Sequence, residues 1–343
     1  MEIGFLDGMS LNQIVLFYCA LAAGLFVVMS FYLPLARKFN IVDEPNSRSS
    51  HKRTTLRGGG IIYWFAILIY TFCYASEPNV WVLFSAITLS AIISFIDDIF
   101  SIPPHPRLFF HFVALTLVFF ALGLFDFCSS MLWILVIAYV IFVGVINAFN
   151  FMDGINGMLG MTSLVTLGAM QYVNLFVVNF VNPHFIWFPI FASVVFCFFN
   201  CRKKAICFSG DVGSVTLSFW IISLMILMME KTNSIVWILF LAVYGVETVC
   251  TIFHRLYLRQ NIFLPHRIFL FQILVNEYKL PHVFVSGIYS FLQLVSCILV
   301  IWLPVEWYWL FLIVLLPLVV LYCSKFYLLK KAKSKSVSKK HLA

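Results

Sequence analysis

Charge is scarce in this sequence. Asp, Glu, Lys and Arg make up 10% of its 343 residues, against about 25% in soluble domains, and that scarcity excludes an ordinary water-soluble fold. Zinc-type ligand sets are missing too. The nine cysteines lie mostly within apolar stretches, and the close pairs Cys197 with Cys201 and Cys201 with Cys207 lack accompanying ligands, so they read as small packing residues. Nor does a Ser-His-Asp arrangement stand out. What fills the chain is apolar: 63% hydrophobic residues and a mean hydropathy of +1.01. A bilayer core of about 30 Å takes roughly 20 such residues per helix.

Apolar runs between polar breaks fall at 11–35, 60–76, 80–97, 108–125, 130–149, 158–180, 185–200, 213–229, 234–252, 283–303 and 306–324. The fold class is therefore an all-α integral membrane bundle of about eleven transmembrane helices. The first run follows a segment without Lys or Arg and exceeds a signal-peptide core, so it is read as a retained helix. Alternating the connections puts every Lys and Arg except Lys231 on one side. By the positive-inside rule that side is cytoplasmic, with the N-terminus outside and the C-terminus inside. The charge of +8 is thereby explained by topology, and no nucleic-acid partner is expected. Residues 1–329 form one polytopic domain, and the Lys/Ser segment 330–343 is expected to be a disordered cytoplasmic tail against anionic headgroups.

Five polar motifs interrupt the apolar pattern, all on the expected cytoplasmic side. Asp97 and Asp98 close the third span, where carboxylates are costly and usually serve a purpose; the plain alternative is a solvated helix end. Asn147, Asn150, Asp153 and Asn156 follow in steps of three among Gly154 and Gly157. Helical spacing keeps the first three near one face, able to bind one ligand, although a Gly/Asn-rich turn would read the same way. Asp211 stands in Ser209-Gly210-Asp211-Val212-Gly213-Ser214, either as a hard oxygen ligand for Mg²⁺ or, like Ser214, as a helix cap. The first loop carries Arg48, His51, Arg57 and Gly58-Gly59-Gly60, which suit a phosphate entrance and equally satisfy topology. The last large loop holds His254, Arg255, His266 and Arg267, alternatively an interfacial amphipathic segment. Several carboxylates with a basic rim suit metal-assisted transfer at phosphorus.

At these residues the sequence resembles the polyprenyl-phosphate N-acetylhexosamine-1-phosphate transferases, the glycosyltransferase family 4 type that includes the phospho-MurNAc-pentapeptide transferases. The likeness runs from Asp43 to Leu274 and rests on Pro45 through His51, Arg57 through Gly60, Asp97-Asp98, Asn147 through Gly157 and Gly210 through Ser214. The short last loop, with His266-Arg267 and then Gln272, looks like the branch that initiates O-antigen or capsule units. Departures are Phe269 and Phe271 where many relatives carry His and Tyr, Thr54-Thr55-Leu56 in place of Pro-Thr-Pro, and Asn156 in place of a frequent Asp.

The resemblance implies transfer of N-acetylhexosamine 1-phosphate from a UDP-N-acetylhexosamine to undecaprenyl phosphate, releasing UMP, with Mg²⁺ or Mn²⁺, at the bacterial cytoplasmic (inner) membrane. It makes Asp97, Asp98, Asp153 and Asp211 catalytic, with Asp211 and Asp98 at the metal. It assigns Asn147, Asn150, Asn156, Arg48, His51, Arg57, Gly59, His266 and Arg267 to substrate binding, and it is compatible with a homodimer. Rival readings are a secondary transporter, for which charges nearer the midplane are expected, a catalytically inactive relative, and a CDP-alcohol phosphatidyltransferase, whose Asp-Gly-x-x-Ala-Arg signature is absent from Asp153-Gly154-Ile155-Asn156-Gly157-Met158.

Overall fold

The computed structural model describes residues 5–6, 8–45, 50–51, 53–127, 132–261 and 266–340. Helix α1 (Leu11–Lys38) leads into a two-stranded hairpin, β1 (Val42–Asp43) and β2 (Thr55–Leu56). There follow α2 (Ile61–Cys73), α3 (Val80–Phe100), α4 (Pro104–Ala121), the single turn α5 (Leu124–Phe127), α6 (Leu132–Met152), α7 (Met158–Phe176), α8 (Pro183–Asn200) and α9 (Gly210–Thr232). A 3₁₀ stretch at Ile235–Leu241 runs into α10 (Ala242–Tyr257). The chain ends with the short α11 (Leu270–Asn276), α12 (His282–Trp302) and α13 (Trp307–Lys340).

Each of the eleven apolar runs is helical over most of its described residues. Nine described segments are long and apolar enough to cross a membrane. The other two are α2, with 13 residues, and α7, whose buried face carries Thr162, Ser163, Thr166, Gln171 and Asn174. The last helix continues to Lys340, past the boundary that composition places at 330.

Burial decides which helices are central. Some 89% of the apolar stretch of α9 is buried, against 22% in α1, α6 and α13. A helix that is apolar all round belongs inside a bundle, and α9 packs against α2, α3 and α6. The first turn of α9 sits against the start of α2 through paired glycines: a Cβ on Gly60 would lie 2.1 Å from the Gly213 Cα, and one on Gly213 would lie 2.6 Å from the Gly60 Cα. Only two residues without Cβ atoms permit that approach.

The hairpin pairs Val42 with Leu56 and Asp43 with Thr55, and it is tied to the segment before α9. The Phe208 N–H donates to the Leu56 carbonyl at 2.8 Å, and the Gly59 and Gly60 N–H groups donate to Phe208 and Ser209 carbonyls at 2.8 and 2.9 Å. Elsewhere the Gly157 N–H donates to Asn200 Oδ1 at 2.7 Å and Asn276 Nδ2 donates to Ser50 Oγ at 3.1 Å. These bonds gather the connections after α1, α6, α8 and α11 at one end of the bundle, where irregular backbone finds the partners that lipid cannot supply.

Candidate active site

The last turn of α3 and the first turn of α9 meet through Asp98. Its side chain has no solvent exposure. Oδ1 accepts from the Asp211 N–H at 2.8 Å and from Arg57 Nε at 2.7 Å, while Oδ2 accepts from the Val212 N–H at 3.1 Å. The cap of α9 is thus supplied from α3, where a negative charge also suits the positive end of the helix. Gly210 is needed for this contact, since its φ is +72° and a Cβ there would stand 2.3 Å from Asp98 Oδ2.

Asp211, turned out from that first turn, lies between two guanidinium groups. Arg57 Nη2 donates to its Oδ1 at 2.6 Å and Arg107 Nη1 to its Oδ2 at 2.9 Å. The same Arg107 nitrogen donates to Asp97 Oδ2 at 2.8 Å, and Asp97 Oδ1 accepts from the Ile102 N–H at 2.5 Å. Three acids and two arginines therefore share a largely buried network, the arrangement that buried charges require. Burial works against the Arg57 charge, but Asp98 and Asp211 more than offset it and hold its pKa above the ordinary arginine value.

A cavity of about 320 Å³ opens beside this network, within the roughly 300–1,000 Å³ of small-molecule sites. Arg57, Asp211, Asn150, Asp153 and Asn156 all line it. Asn150 Nδ2 reaches Ser214 Oγ at 3.4 Å. Asp153 accepts a hydrogen bond from Ser209 Oγ; burial pushes its carboxyl up to about 7, with the Ser209 bond acting in the opposite direction. His51 lines the cavity with its ring 4.9 Å from Phe208. His266 lines it as well, and burial followed by Arg255 and Lys325 lowers its pKa to about 4. Its imidazole is therefore neutral at pH 7, and Nδ1 has no hydrogen-bond partner among the described residues.

Not every expected site residue converges here. Asn147 Nδ2 donates to the Val143 carbonyl of its own helix at 2.8 Å, so its amide faces back along α6. Gly59 serves chain packing, with Cys207 Sγ 2.5 Å from where its Cβ would be. Arg267 is exposed and outside the cavity lining, and Arg48 lies outside the described residues. Asp98, expected to share a cation with Asp211, instead has both oxygens on backbone amides and Arg57.

Arg107 is the residue that sequence reasoning passed over. It counted only toward topology, although it is the sole Lys or Arg between Arg57 and Arg202 and follows Asp97 by ten residues. Gln272, noted in the sequence only beside His266-Arg267, lines the cavity, and so do Asn200 and His282, which carry no local signal.

The donor set fits a divalent cation. Carboxylate oxygens of Asp97 and Asp211 converge on one positively charged nitrogen, and Mg²⁺ typically takes one or two carboxylates, with water and phosphate oxygens completing its shell. The described residues contain no cluster of three or more acidic, His or Cys side chains of the sort that would cage a metal by themselves.

Residues 80–229, a stretch that includes Asp97, Asp98, Arg107, Asn150, Asp153 and Asp211, match the family described as Glycosyl transferase family 4. The chain is also similar to the phospho-N-acetylmuramoyl-pentapeptide-transferase of Dictyoglomus turgidum (strain DSM 6724 / Z-1310), with 26% identity over 201 residues covering 54% of this chain. The match spans 63% of that relative's length. The matched stretch holds most of the acidic network, so the likeness to glycosyl transferase family 4 falls on the part of the chain that builds the site.

Proposed function

We propose that the protein transfers N-acetylhexosamine 1-phosphate from a UDP-N-acetylhexosamine to a polyprenyl phosphate such as undecaprenyl phosphate, releasing UMP, as the first membrane step of an O-antigen or related surface polysaccharide. The observation that carries this reading is Asp211, held between Arg57 and Arg107 beside a cavity at one end of an apolar bundle. A polyprenyl tail remains in hydrocarbon with its phosphate at the interface, where it meets a donor arriving from water. The clustering of Lys and Arg supports a cytoplasmic position for that end.

In the reaction an oxygen of the lipid phosphate bonds to the sugar-bearing phosphorus, and the bond from that phosphorus to the bridging oxygen breaks, the bridging oxygen leaving with UMP. Such transfer depends on positioning and on neutralising phosphate charge. Arg57 and Arg107 supply positive charge from the protein. Asp97 orients the incoming lipid phosphate or accepts its proton, while Asp98 keeps Arg57 and the head of α9 in place. Asn150, Asp153 and Asn156 face the nucleotide side, and neutral His266 offers a hydrogen bond to the sugar phosphate. Asp211 and Asp97 would hold Mg²⁺ or Mn²⁺, which neutralises diphosphate charge when bound.

The test is UMP release by the purified protein in detergent, given undecaprenyl phosphate and a panel of UDP-N-acetylhexosamines with Mg²⁺ or with EDTA. UMP that requires metal, lipid and one donor is the expected result and names the sugar. A folded protein that releases none from any donor refutes the proposal. Unchanged metal-dependent turnover in Asp211→Asn would remove Asp211 from the cation.

A further inference from the structure

Two charged residues lie deep in the bundle and outside the network of the proposed reaction. Glu247 of α10 is 3% exposed and Lys325 of α13 has no exposure, although both belong to segments apolar enough to span a membrane. Ionisable groups in such segments are expensive and tend to have assigned work. In the sequence Lys325 counts only among the charges that set topology, yet its Nζ donates to the Ile268 carbonyl at 3.2 Å and to the Tyr322 hydroxyl, over whose ring it sits at 4.0 Å. Glu247 Oε1 accepts from the Leu270 N–H, and Oε2 accepts from the Tyr289 hydroxyl at 3.0 Å.

Both charges thus fasten the same three residues of backbone. Ile268 precedes α11 and Leu270 opens it, so the Ile268 carbonyl and the Leu270 N–H have no partner within a regular element and need one from elsewhere. Two residues outward on either side stand His266 and Gln272, which line the cavity. Between the anchors and Gln272, Phe271 abuts Gly154, where a Cβ would lie 3.0 Å from its ring. A second tie joins the same region to α13, with the Tyr278 hydroxyl donating to the Leu328 carbonyl at 2.9 Å.

We infer that Glu247 and Lys325 are positioning residues that set the His266–Gln272 wall of the cavity, making α13 a structural part of the substrate site. The consequence for substrate rests on the phosphotransferase reading; the tether itself does not. A rigid wall contributes to binding by holding its polar groups in place before the ligand arrives, so loosening it raises KM while the acids and arginines that act on phosphorus stay where they are.

The experiment compares the full chain with Lys325→Met, Lys325→Arg and Tyr289→Phe in detergent, by amide hydrogen exchange and by UMP-release kinetics. In Lys325→Met, exchange over 266–276 should rise roughly tenfold or more, the scale of a lost charge-assisted hydrogen bond, while α3 and α9 stay protected. KM for the UDP-sugar should rise by about the same factor with kcat within about twofold, and Lys325→Arg should restore both. Unchanged exchange over 266–276, or a fall in kcat with KM untouched, overturns the inference. If Lys325→Met also loses protection in α9, Tyr289→Phe decides: it removes one hydroxyl from Glu247 and keeps both charges, local loosening is expected, and none refutes the tether. A wild type that releases no UMP from any donor disposes of the phosphotransferase reading, and the exchange arm then decides the tether alone.

Discussion

Asp98→Ala separates two roles that sequence leaves merged. If Asp98 holds the head of α9, the substitution strips acceptors from the Asp211 N–H, the Val212 N–H and Arg57 Nε together. Removing one partner of a buried charged pair costs about 3–5 kcal/mol, because the other charge is left uncompensated. Arg57 retains Asp211 as a second acceptor, which places the expected loss toward the lower end of that range. Asp98→Asn keeps one acceptor oxygen for the Asp211 N–H and Arg57 Nε but turns its NH2 toward the Val212 N–H, so it loses the charge and one acceptor while staying isosteric, and its cost should be nearer 1–3 kcal/mol. Thermal unfolding in detergent, followed by tryptophan fluorescence, reads both. The double variant with Arg57→Met should be less destabilised than the sum of the single ones, since the orphaned cation is then gone. An Asp98→Ala protein as stable as wild type, but inactive, would refute the structural role and return Asp98 to the chemistry.

Three further outcomes follow from the same geometry. Asp153 has its pKa raised by burial to about 7, so between about pH 4 and pH 7 the folded protein holds a proton that the unfolded chain has released. The stability this contributes is full below about pH 4 and is lost as pH rises through about 7, a change on the order of a few kcal/mol at most; melting at pH 5 and pH 8 should show the fall in wild type and a flatter profile in Asp153→Asn. Gly213→Ala places a methyl 2.6 Å from the Gly60 Cα, and because both sides of that contact are backbone, a sharp fall in folded yield is expected in size-exclusion profiles. Arg107→Met leaves Asp97 and Asp211 without their shared cation; UMP release should drop at least about tenfold, the effect of losing a charge-assisted contact of 1.4 kcal/mol or more, while near-wild-type turnover would exclude Arg107 from the site.

The bundle was legible in the sequence because lipid leaves the chain little choice: apolar runs of spanning length become helices so that every backbone group is satisfied within the segment. All eleven runs are helical over most of their described residues for that reason, and α2 and α7 fall short only of the length or apolarity that the other nine show. Asp97, Asp98, Asp153 and Asp211 were also visible, since acids stand out where charge is rare.

The division of labour among those acids was decided by tertiary structure. Adjacent side chains on a helix point about 100° apart, so Asp97 and Asp98 meet different partners: one shares Arg107 with Asp211, and the other is enclosed against the amides of α9. A single sequence does not reveal which way each turns, because that depends on how α3 crosses α9. Arg107 and Lys325 were hidden for a related reason. By composition both looked like charges that set topology, and only the packing of α4 against α3 and of α13 against α10 and α11 carries them inward to groups far away in the chain.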